Sequence, residues 1–403
     1  MNKIDTSPQK IADFLERGVS EIITRDSVTK KLSSGKPLRV KHGVDPSGQD
    51  LHLGHAAVYL KLRDLQEMGH IIVFLIGGFT GRFGDPTQKL KSRTLKSREE
   101  TTEAAKNYIK QISGILDPEK LEVRTNNEWY DKMNAEELLK LMSNFTVDQV
   151  LERDMFQERK KRKEAIQLHE LIYPVLQGYD SVMLKSDLTV IGSDQVFNES
   201  FGRDLQKKHG DEPQDIVAIK ILAGLDGNQK MSKSLNNYIA LNDSATDKFG
   251  KIMSLPDSLM VDYFTLLTRL PLADIKEISE SLEKNSVNPR DLKIKLGQEI
   301  VSFFHSAKEA RAVADNFEKT FSKKETPSNI EEKKIKKGEY TWLEVINLSG
   351  LTKSKTESRR LIEDGATDKD GEVIASPYKK ITVDKPITVK IGKHRFIKII
   401  PED

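Results

Sequence analysis

Two short apolar segments that each run into a glycine-rich turn constrain the fold of the N-terminal half of the chain. Residues 37–42 (PLRVKH) lead into GVDPSGQ, and residues 71–76 (IIVFLI) lead into GGFTGRFGDP. Between them, the apolar residues of 56–68 recur at helical spacing. A continuous apolar run is typical of a strand buried on both faces of a parallel sheet. The order strand, turn, helix, strand, turn therefore predicts a Rossmann-like α/β domain.

The rest of the chain divides by pattern into a helical insertion, a helical domain, a polar linker and a small α+β module. The insertion is expected to separate the halves of the parallel sheet, because strand patterns resume at 187–191 and 216–222. The linker is rich in Lys and Glu. The expected boundaries are 1–242 for the Rossmann-like domain with its insertion at about 95–185, 243–322 for the helical domain, 323–338 for the linker and 339–403 for the module.

The composition of the chain indicates the broad type of protein to which it belongs. With 37% hydrophobic and 32% charged residues among 403, it is typical of a soluble globular protein. No apolar run approaches the roughly 20 residues that span a bilayer, and the N-terminus lacks the apolar core of a signal peptide. We therefore expect a cytoplasmic location and no membrane partner. The absence of cysteine excludes thiolate zinc ligands, no carboxylate cluster marks a metal site, and no protein-bound metal is predicted.

His52 and His55 bracket Gly54 at the point where a glycine-rich turn enters a helical pattern. Helix N-termini present free N–H groups and a partial positive charge, which suits a polyphosphate. Gly54 would let a nucleotide base approach the backbone closely, and the imidazoles can donate hydrogen bonds to phosphoryl oxygens. Standing alone, the H-x-G-H pattern also fits an ordinary helix-capping loop.

Lys230 and Lys233 lie three residues apart in the loop GLDGNQKMSKS. Such a cationic loop can close over a polyphosphate and neutralise charge in a transition state, although an isolated lysine pair is more simply a solvated loop. HLGH in the first half of an α/β domain, with KMSKS just after its last strand, resembles the paired signature of class I aminoacyl-tRNA synthetases. That resemblance implies activation of an amino-acid carboxylate by ATP, accompanied by magnesium, without a nucleophile from the enzyme.

Further segments resemble the tyrosyl-tRNA synthetases, and the resemblance covers nearly the whole chain. Residues 173, 177 and 180 are at i, i+4 and i+7 of a predicted helix, so their side chains share one face and can line one pocket. The matching segments are 43–47 (GVDPS), 80–86 (TGRFGDP), 173–180 (YPVLQGYD) and 192–195 (GSDQ). An ordinary core face is the alternative for the helix taken in isolation.

The resemblance implies a role for each matching residue. Asp180 would accept a hydrogen bond from the phenol of tyrosine, and Gln195 would support the carboxylate or adenylate. The ammonium group of tyrosine would be held by Asp85, Tyr173 and Gln177. The implied ATP-binding residues are Gly43, Asp45, His52, Gly54, His55, Asp194, Lys230, Ser232 and Lys233, of which His52, His55, Lys230 and Lys233 would be catalytic.

Lys41 is the main departure from the pattern of many bacterial relatives. Those relatives carry tyrosine two positions before the first glycine of G-x-D-P, where it touches the substrate phenol. A second bacterial subgroup, which keeps KMSKS intact, has lysine there, and the chain resembles that subgroup. No phenol contact is assigned to Lys41 on this basis.

The C-terminal module resembles the small RNA-binding module of the ribosomal protein S-four type, through residues 354–373. Thr367 and Lys369 replace apolar residues usual in the strand after the second helix, which predicts a weak strand. Basic side chains on that helix would meet tRNA phosphates. The predicted RNA-binding residues are Lys355, Arg359 and Arg360.

The implied activity is formation of tyrosyl-adenylate and pyrophosphate, followed by transfer of tyrosine to the 3′ end of its tRNA. The implied partners are tRNA(Tyr), L-tyrosine, ATP and a second copy of the chain, with the insertion as the dimer interface. A tryptophanyl-tRNA synthetase shares HLGH and KMSKS but is disfavoured by the Y-x-x-x-Q-x-Y-D helix and the RNA module. A non-catalytic RNA-binding factor would not need the two motifs, and a plain nucleotidyltransferase would not need the helical domain or the module.

Overall fold

The computed structural model describes residues 4–46, 50–85, 96–322, 331–352, 354–392 and 395–402. Contacts divide them into two compact units, with the boundary between Ala310 and Arg311. Ser47 and Pro86, which belong to two of the matching segments, lie outside the described residues. No helix within the described ranges is long and apolar enough to cross a membrane.

A six-stranded sheet forms the centre of the first unit. Its strands are β1 (Val19–Ile23), β2 (Arg39–Val44), β3 (Ile71–Ile76), β4 (Leu121–Thr125), β5 (Leu188–Gly192) and β6 (Asp215–Ile219). They lie in the order β1–β6–β5–β2–β3–β4. All neighbours from β6 to β4 pair in parallel, whereas β1 is antiparallel to β6. The predicted Rossmann-like architecture is confirmed.

Helices cover the sheet and complete the first unit. Those up to the last strand are α1 (Pro8–Glu16), α2 (Arg25–Ser33), α3 (Leu53–Glu67), α4 (Thr80–Phe83), α5 (Arg98–Ile112), α6 (Asn127–Tyr130), α7 (Ala135–Met142), α8 (Val147–Leu151), α9 (Asp154–Lys161), α10 (Leu168–Leu184) and α11 (Val196–Lys208). The helices that follow are α12 (Ala245–Met253), α13 (Met260–Leu267), α14 (Leu272–Glu283), α15 (Pro289–Phe304) and α16 (Ala307–Ser322). Only the first residues of α16 belong to the first unit, since the boundary falls after Ala310. The described backbone from 243 to 322 thus contains no strand, in line with the helical pattern.

The chain reverses direction across the sheet between β2 and β5. It passes from β2 outward to β3 and β4 and then returns to β5 on the other side of β2. β2 and β5 pair only at Val40–Leu188 and Lys41–Thr189. Beyond these pairs, the His42 ring bridges the strands by donating from Nδ1 to the Val190 carbonyl at 2.9 Å. Parting strands at such a switch point leave a crevice, which is where ligands bind in open α/β sheets.

The two edge strands differ from the sequence prediction. β4 lies inside the predicted helical insertion of 95–185, yet it pairs with β3 along its whole length, so residues 121–125 belong to the sheet. β1 was not predicted at all. Both strands are only partly buried, so neither carries a continuous apolar run. In β4, Glu122 makes an ion pair with Arg39 at 2.8 Å, and such charged residues obscure a strand pattern.

The second unit is a small α+β module. Its elements are β7 (Glu332–Lys336), β8 (Gly338–Thr341), α17 (Trp342–Ser349), α18 (Lys355–Glu363), β9 (Thr367–Lys369), β10 (Glu372–Val373), β11 (Lys380–Val383), β12 (Ile387–Ile391) and β13 (Arg395–Glu402). β10, β9, β12, β13 and β7 form one sheet in that order, and β11 pairs with β8. The expected strand at Thr367–Lys369 forms and pairs with both β10 and β12.

β7 corrects the prediction of a linker over 323–338. Its residues 332–336 pair in parallel with β13 and are therefore part of the sheet. Ile335 is buried in the core of the module, but the lysines around it hide the strand pattern. Residues 323–330 of the predicted linker lie outside the described part of the chain.

Candidate active site

A cavity of about 330 Å³ opens at the carboxyl ends of β2, β5 and β6. The first unit brings together around it every site residue that the sequence predicted there. These are Gly43, Asp45, His52, Gly54, His55, Asp85, Tyr173, Gln177, Asp180, Asp194, Gln195, Lys230, Ser232 and Lys233. Lys41 lines the same cavity.

His52 and His55 stack at the start of α3. Their ring centroids are 3.9 Å apart, and the backbone N–H of His52 donates to His55 Nδ1 at 3.2 Å. The proton of the neutral His55 ring therefore lies on Nε2, which can donate. Burial, helped by the charges of Lys233 and Lys230, lowers the pKa of His52 to about 3. Burial and the neighbouring His52 also hold the pKa of His55 well below its usual value. Both rings are thus neutral hydrogen-bond donors at neutral pH.

A side chain at position 54 would crowd this stacked arrangement. A Cβ at position 54 would lie 3.0 Å from Nδ1 and from Cε1 of the His52 ring. It would also approach Met231, the second residue of KMSKS, at 3.6 Å. The glycine therefore lets the histidine ring and the lysine loop lie close to the helix N-terminus.

The KMSKS loop is held in place by the side chain of Asn237. Its Oδ1 accepts the backbone N–H of Ser232 at 2.8 Å, and its Nδ2 donates to Asp226 Oδ2 at 2.9 Å and to the Lys230 carbonyl at 3.2 Å. Gly224 is packed so closely that a Cβ there would lie 2.2 Å from Asn237 Nδ2. Asn237 is itself buried, so these bonds are partly shielded from water.

The two lysines of the loop reach the cavity in different ways. Lys230 Nζ lies 3.2 Å from Asp194 Oδ2, so one of the predicted ATP-binding residues contacts the loop. Burial lowers the pKa of Lys233. The positive charges of both side chains help burial to lower the pKa of His52.

HLGH and KMSKS are also joined through the backbone. The N–H of Leu53 donates to the Ile239 carbonyl at 3.0 Å, and the N–H of Leu241 donates to the Leu51 carbonyl at 2.9 Å. His52 and Ala240 form the bridge between these bonds. The segment just after KMSKS therefore pairs with the segment that starts α3, which fixes the two motifs relative to each other.

The other part of the cavity is lined by one face of α10. Tyr173, Gln177 and Asp180 all reach it, as their helical spacing predicts. Asp180 accepts the indole N–H of Trp129 at 3.0 Å and an amide N–H of Asn126 at 3.3 Å. Burial raises the pKa of Asp180 to about 7. The face thus presents a buried, oriented acid to the cavity.

Asp45 and Asp85 connect the turns after β2 and β3 to the same cavity. Asp45 accepts hydrogen bonds from the Tyr173 hydroxyl and from Thr80 Oγ1, both at 2.8 Å. A Cβ on Gly77 would lie 1.9 Å from Asp45 Oδ1, so only glycine fits that turn. Asp85 Oδ2 accepts from Gln195 Nε2 at 2.8 Å. The two carboxylates therefore give the α10 side of the cavity a negative character.

Several residues of the site escaped sequence reasoning. Trp129 and Asn126 hold Asp180, and Glu199 holds Gln177, whose Nε2 donates to it at 2.8 Å. Arg153 is buried with a guanidinium nitrogen 3.7 Å from Asp85. None of these four residues stands in a recognisable local motif, so only their spatial contacts mark them.

In the second unit, the predicted RNA-binding residues lie on α18. All three of Lys355, Arg359 and Arg360 are exposed. Arg359 pairs with Glu363 at 2.9 Å, and its guanidinium lies 5.5 Å from the ring of Tyr378, which is 55% exposed. Sequence reasoning did not single out Tyr378. An exposed aromatic ring next to basic side chains suits contact with a nucleic acid.

The described residues include no group of three or more His, Cys, Asp or Glu side chains that could hold a metal ion. A parallel sheet with HLGH at a helix N-terminus, facing a lysine loop across the switch point, has the architecture of a class I tRNA synthetase. The family model for class I tRNA synthetases of the tryptophan and tyrosine type matches residues 33–322.

Comparison with related sequences identifies the family within the class I tRNA synthetases. The chain is 44% identical over 400 residues to the tyrosine–tRNA ligase of Carboxydothermus hydrogenoformans, covering 97% of each chain. It is 43% identical over 388 residues to that of Nitrosomonas europaea, covering 96% of this chain and 95% of the relative. The chain belongs to the tyrosine–tRNA ligase family.

Solved structures share the fold. The tyrosyl-tRNA synthetase of Archaeoglobus fulgidus, complexed with L-tyrosine, matches with a TM-score of 0.62 and 24% identity, over 77% of this chain and 100% of that one. A C-terminally truncated mitochondrial tyrosyl-tRNA synthetase of Aspergillus nidulans matches with a TM-score of 0.63 and 23% identity, over 77% and 94%.

Proposed function

We propose that this chain joins tyrosine to ATP, releasing pyrophosphate, and then transfers tyrosine to the 3′ end of its tRNA. One observation carries the proposal. A single cavity is lined by the residues of HLGH and KMSKS and also by the Tyr173, Gln177 and Asp180 face of α10. A nucleotide site and a site for a hydroxyl-bearing side chain therefore lie within reach of each other.

The α10 face supports tyrosine as the amino acid. A carboxylate offers roughly four acceptor positions, and the Asp180 carboxylate meets Trp129 and Asn126, so it can also accept the phenol O–H. A site that hydrogen-bonds a hydroxyl rejects the analogue without it, because the buried polar group is then unpaired; tyrosine-charging enzymes are the standard example of this rule. Asp85, Tyr173 and Gln177 would hold the ammonium group, and Gln195, which is bonded to Asp85, would support the carboxylate.

The HLGH and KMSKS side of the cavity supports ATP as the co-substrate. The tyrosine carboxylate oxygen attacks the α-phosphorus, the bond to the β-phosphate oxygen breaks, and pyrophosphate leaves. His52 and His55, as neutral donors, would hydrogen-bond phosphoryl oxygens, while Lys230 and Lys233 would neutralise the charge that develops on the leaving group. Magnesium would enter bound to the ATP phosphates. Gly54 leaves room for the nucleotide base, with Gly43, Asp45, Asp194 and Ser232 around the nucleotide.

tRNA binding would use the parts of the chain beyond the cavity. Residues 243–322 would form an anticodon-binding-type helical domain, and the module of residues 339–403 would contact phosphates through α18. The exposed Lys355, Arg359 and Arg360 side chains and the neighbouring Tyr378 ring support this role. We place the reaction in the cytoplasm, where tRNA is charged for protein synthesis.

A homodimer through the helical insertion is part of the proposal. Three apolar side chains of this region are largely exposed: Leu139 in α7 at 65%, Val147 in α8 at 61% and Leu168 at the start of α10 at 72%. α7 and α8 both pack against α10. Large exposed apolar side chains on adjoining elements are typical of a surface that a partner covers.

Amino-acid-dependent exchange of labelled pyrophosphate into ATP, followed by charging of tRNA, tests the proposed function. We expect exchange with tyrosine and none with phenylalanine or tryptophan. Exchange with tryptophan but not tyrosine would overturn the proposal.

A further inference from the structure

Lys41 and Glu199 form an ion pair beneath the α10 face. Lys41 Nζ lies 2.9 Å from Glu199 Oε2, and the two side chains are only 1% and 2% exposed. The same Nζ donates to Ser181 Oγ at 2.7 Å and to the Gln177 carbonyl at 3.3 Å. An ammonium group has three N–H donors, and these acceptors engage all three. Although Lys41 lines the cavity, all three N–H donors of its ammonium group are used in contacts within the protein.

Glu199 is surrounded by donors. Its Oε1 accepts from Gln177 Nε2 at 2.8 Å, and its Oε2 accepts from Gln214 Nε2 at 2.8 Å as well as from Lys41. A carboxylate can only accept hydrogen bonds. A buried carboxylate needs a compensating charge, and Lys41 supplies it.

This pair fixes the orientation of the Gln177 carboxamide. Because Glu199 only accepts, Gln177 turns its NH₂ group toward it and its Oε1 away from it. Asn198 Nδ2 donates to that Oε1 at 2.7 Å. A carboxamide oxygen has two lone pairs, so one remains to accept an N–H from a substrate ammonium group. If the Gln177 carboxamide were turned the other way, its Oε1 would face the Glu199 carboxylate. Its NH₂ group would then face the ammonium group of the substrate, and neither contact would be favourable.

We infer that Lys41 and Glu199 are positioning residues that set the orientation of the Gln177 carboxamide and thereby the recognition of the ammonium group of the amino acid. The inference rests on the proposed function. Selection of the phenol is left to Asp180, which Lys41 does not replace.

Two stable analogues of the adenylate separate this role from a merely structural one. The first is the 5′-O-sulfamoyl adenosine derivative of tyrosine, and the second is the same derivative of 3-(4-hydroxyphenyl)propionate, which lacks only the amino group. In Lys41→Met and in Glu199→Gln, we expect the dissociation constant of the first analogue to rise about tenfold, as for loss of one hydrogen bond to a charged group. The KM for ATP should stay unchanged, and so should the dissociation constant of the second analogue in Glu199→Gln. Because the charge of Lys41 also lowers the pKa of Asp180, Lys41→Met is judged by the ratio of the two dissociation constants, which should rise about tenfold.

Lys31→Met is the matched control. Lys31 Nζ lies 3.0 Å from Asp215 Oδ2, whose side chain is 2% exposed, and neither residue lines the cavity. This variant and Lys41→Met should both lower the melting temperature, but in Lys31→Met both analogues should bind as in the wild type. The double variant Lys41→Met/Glu199→Gln leaves no uncompensated charge, so it should recover the melting temperature but not the affinity for the first analogue.

Equal weakening of both analogues in the Lys41 and Glu199 variants, or weakening of neither, would overturn the inference. If Lys41→Met does not fold, Glu199→Gln and the double variant give the same comparison. If the wild-type chain shows no tyrosine-dependent exchange of pyrophosphate into ATP, the proposed function itself is wrong. The two failures are therefore distinguishable.

Discussion

Trp129 donates its indole N–H to Asp180 at 3.0 Å, across 51 positions of the chain, and fixes the acid on the α10 side of the cavity. Burial raises the pKa of that acid to about 7. Asp180 is therefore a carboxylate above this pH and a neutral acid below it. Because the carboxylate is the better acceptor for a phenol O–H, the KM for tyrosine should rise as the pH is lowered from 8 to 6.

Asp180→Asn tests this assignment. We expect the variant to lose the pH dependence and to show a KM for tyrosine at pH 8 raised at least about tenfold.

The raised pKa of Asp180 also affects stability. The folded state holds the proton on Asp180 more tightly than the unfolded state does, so the free energy of unfolding falls as the pH rises from about 4 to 7. The variant should then melt higher than the wild type at pH 8. An unchanged pH profile of KM in the variant would contradict the role of Asp180.

His52→Gln should lower kcat for pyrophosphate exchange about 100-fold, as for removal of one transition-state donor, with little change in the affinity for tyrosine. Since burial lowers the pKa of His52 to about 3, the ring is neutral at any higher pH. The wild-type kcat should therefore show no histidine step near pH 6.5. His70→Gln, at a buried histidine outside the cavity, is the control and should leave kcat unchanged.

Asn237→Ala should release the KMSKS loop. It removes the bonds to Ser232, Asp226 and the Lys230 carbonyl, so the lysines would lose their fixed position. We expect kcat to fall about tenfold or more, while tyrosine binding is retained. Trypsin should also cleave the loop faster. Asn236→Gly changes the exposed neighbour, which has a positive φ of 52°, and should leave both readouts unchanged.

Replacing Lys355, Arg359 and Arg360 together by alanine should raise the KM for tRNA without affecting pyrophosphate exchange. These side chains are exposed, so the fold should be unaffected. The slope of log affinity against log salt should fall by about one per lost phosphate contact. Lys333→Ala/Lys334→Ala/Lys336→Ala, at three exposed lysines on β7 of the same unit, is the charge-matched comparison. An equal loss in that variant would argue for a general charge effect.

Leu139→Glu combined with Leu168→Glu should convert the proposed dimer to a monomer in sedimentation at micromolar concentration. Both side chains are largely exposed, so the charges should not disturb the core of the isolated chain. Leu348→Glu, at an exposed leucine of the second unit, should leave the assembly unchanged. A wild type that sediments as a monomer would contradict the proposed interface.

The sequence predicts those parts of the site that depend on local order. Gln177 and Asp180 share a face because helical spacing requires it, and His52 lies at a helix start because a glycine-rich turn precedes it. The predicted strands in the middle of the sheet, such as β3, form because continuous apolar runs demand burial. Local pattern is enough for these features.

The sequence does not predict what depends on distant contacts. Trp129 meets Asp180, and Lys41 meets Glu199, only after the sheet and α10 have assembled. The edge strands β1 and β4 are partly exposed and so lack the apolar run of a central strand. In β7, the lysines around Ile335 interrupt the apolar pattern, so the sequence did not predict this strand either.

The pairing of Leu51–Leu53 with Ile239–Leu241 has a consequence for the growing chain. The first partner is synthesised early, but the second follows nearly two hundred residues later. A nascent polypeptide or a proteolytic fragment that ends after Ile219 but before Asn237 has neither the backbone partner for the start of α3 nor the side chain that holds the lysine loop. Such a fragment contains all six strands of the sheet, which end at Ile219, and we expect it to bind ATP poorly. The ability to activate an amino acid therefore arises late in synthesis, as a property of the completed domain.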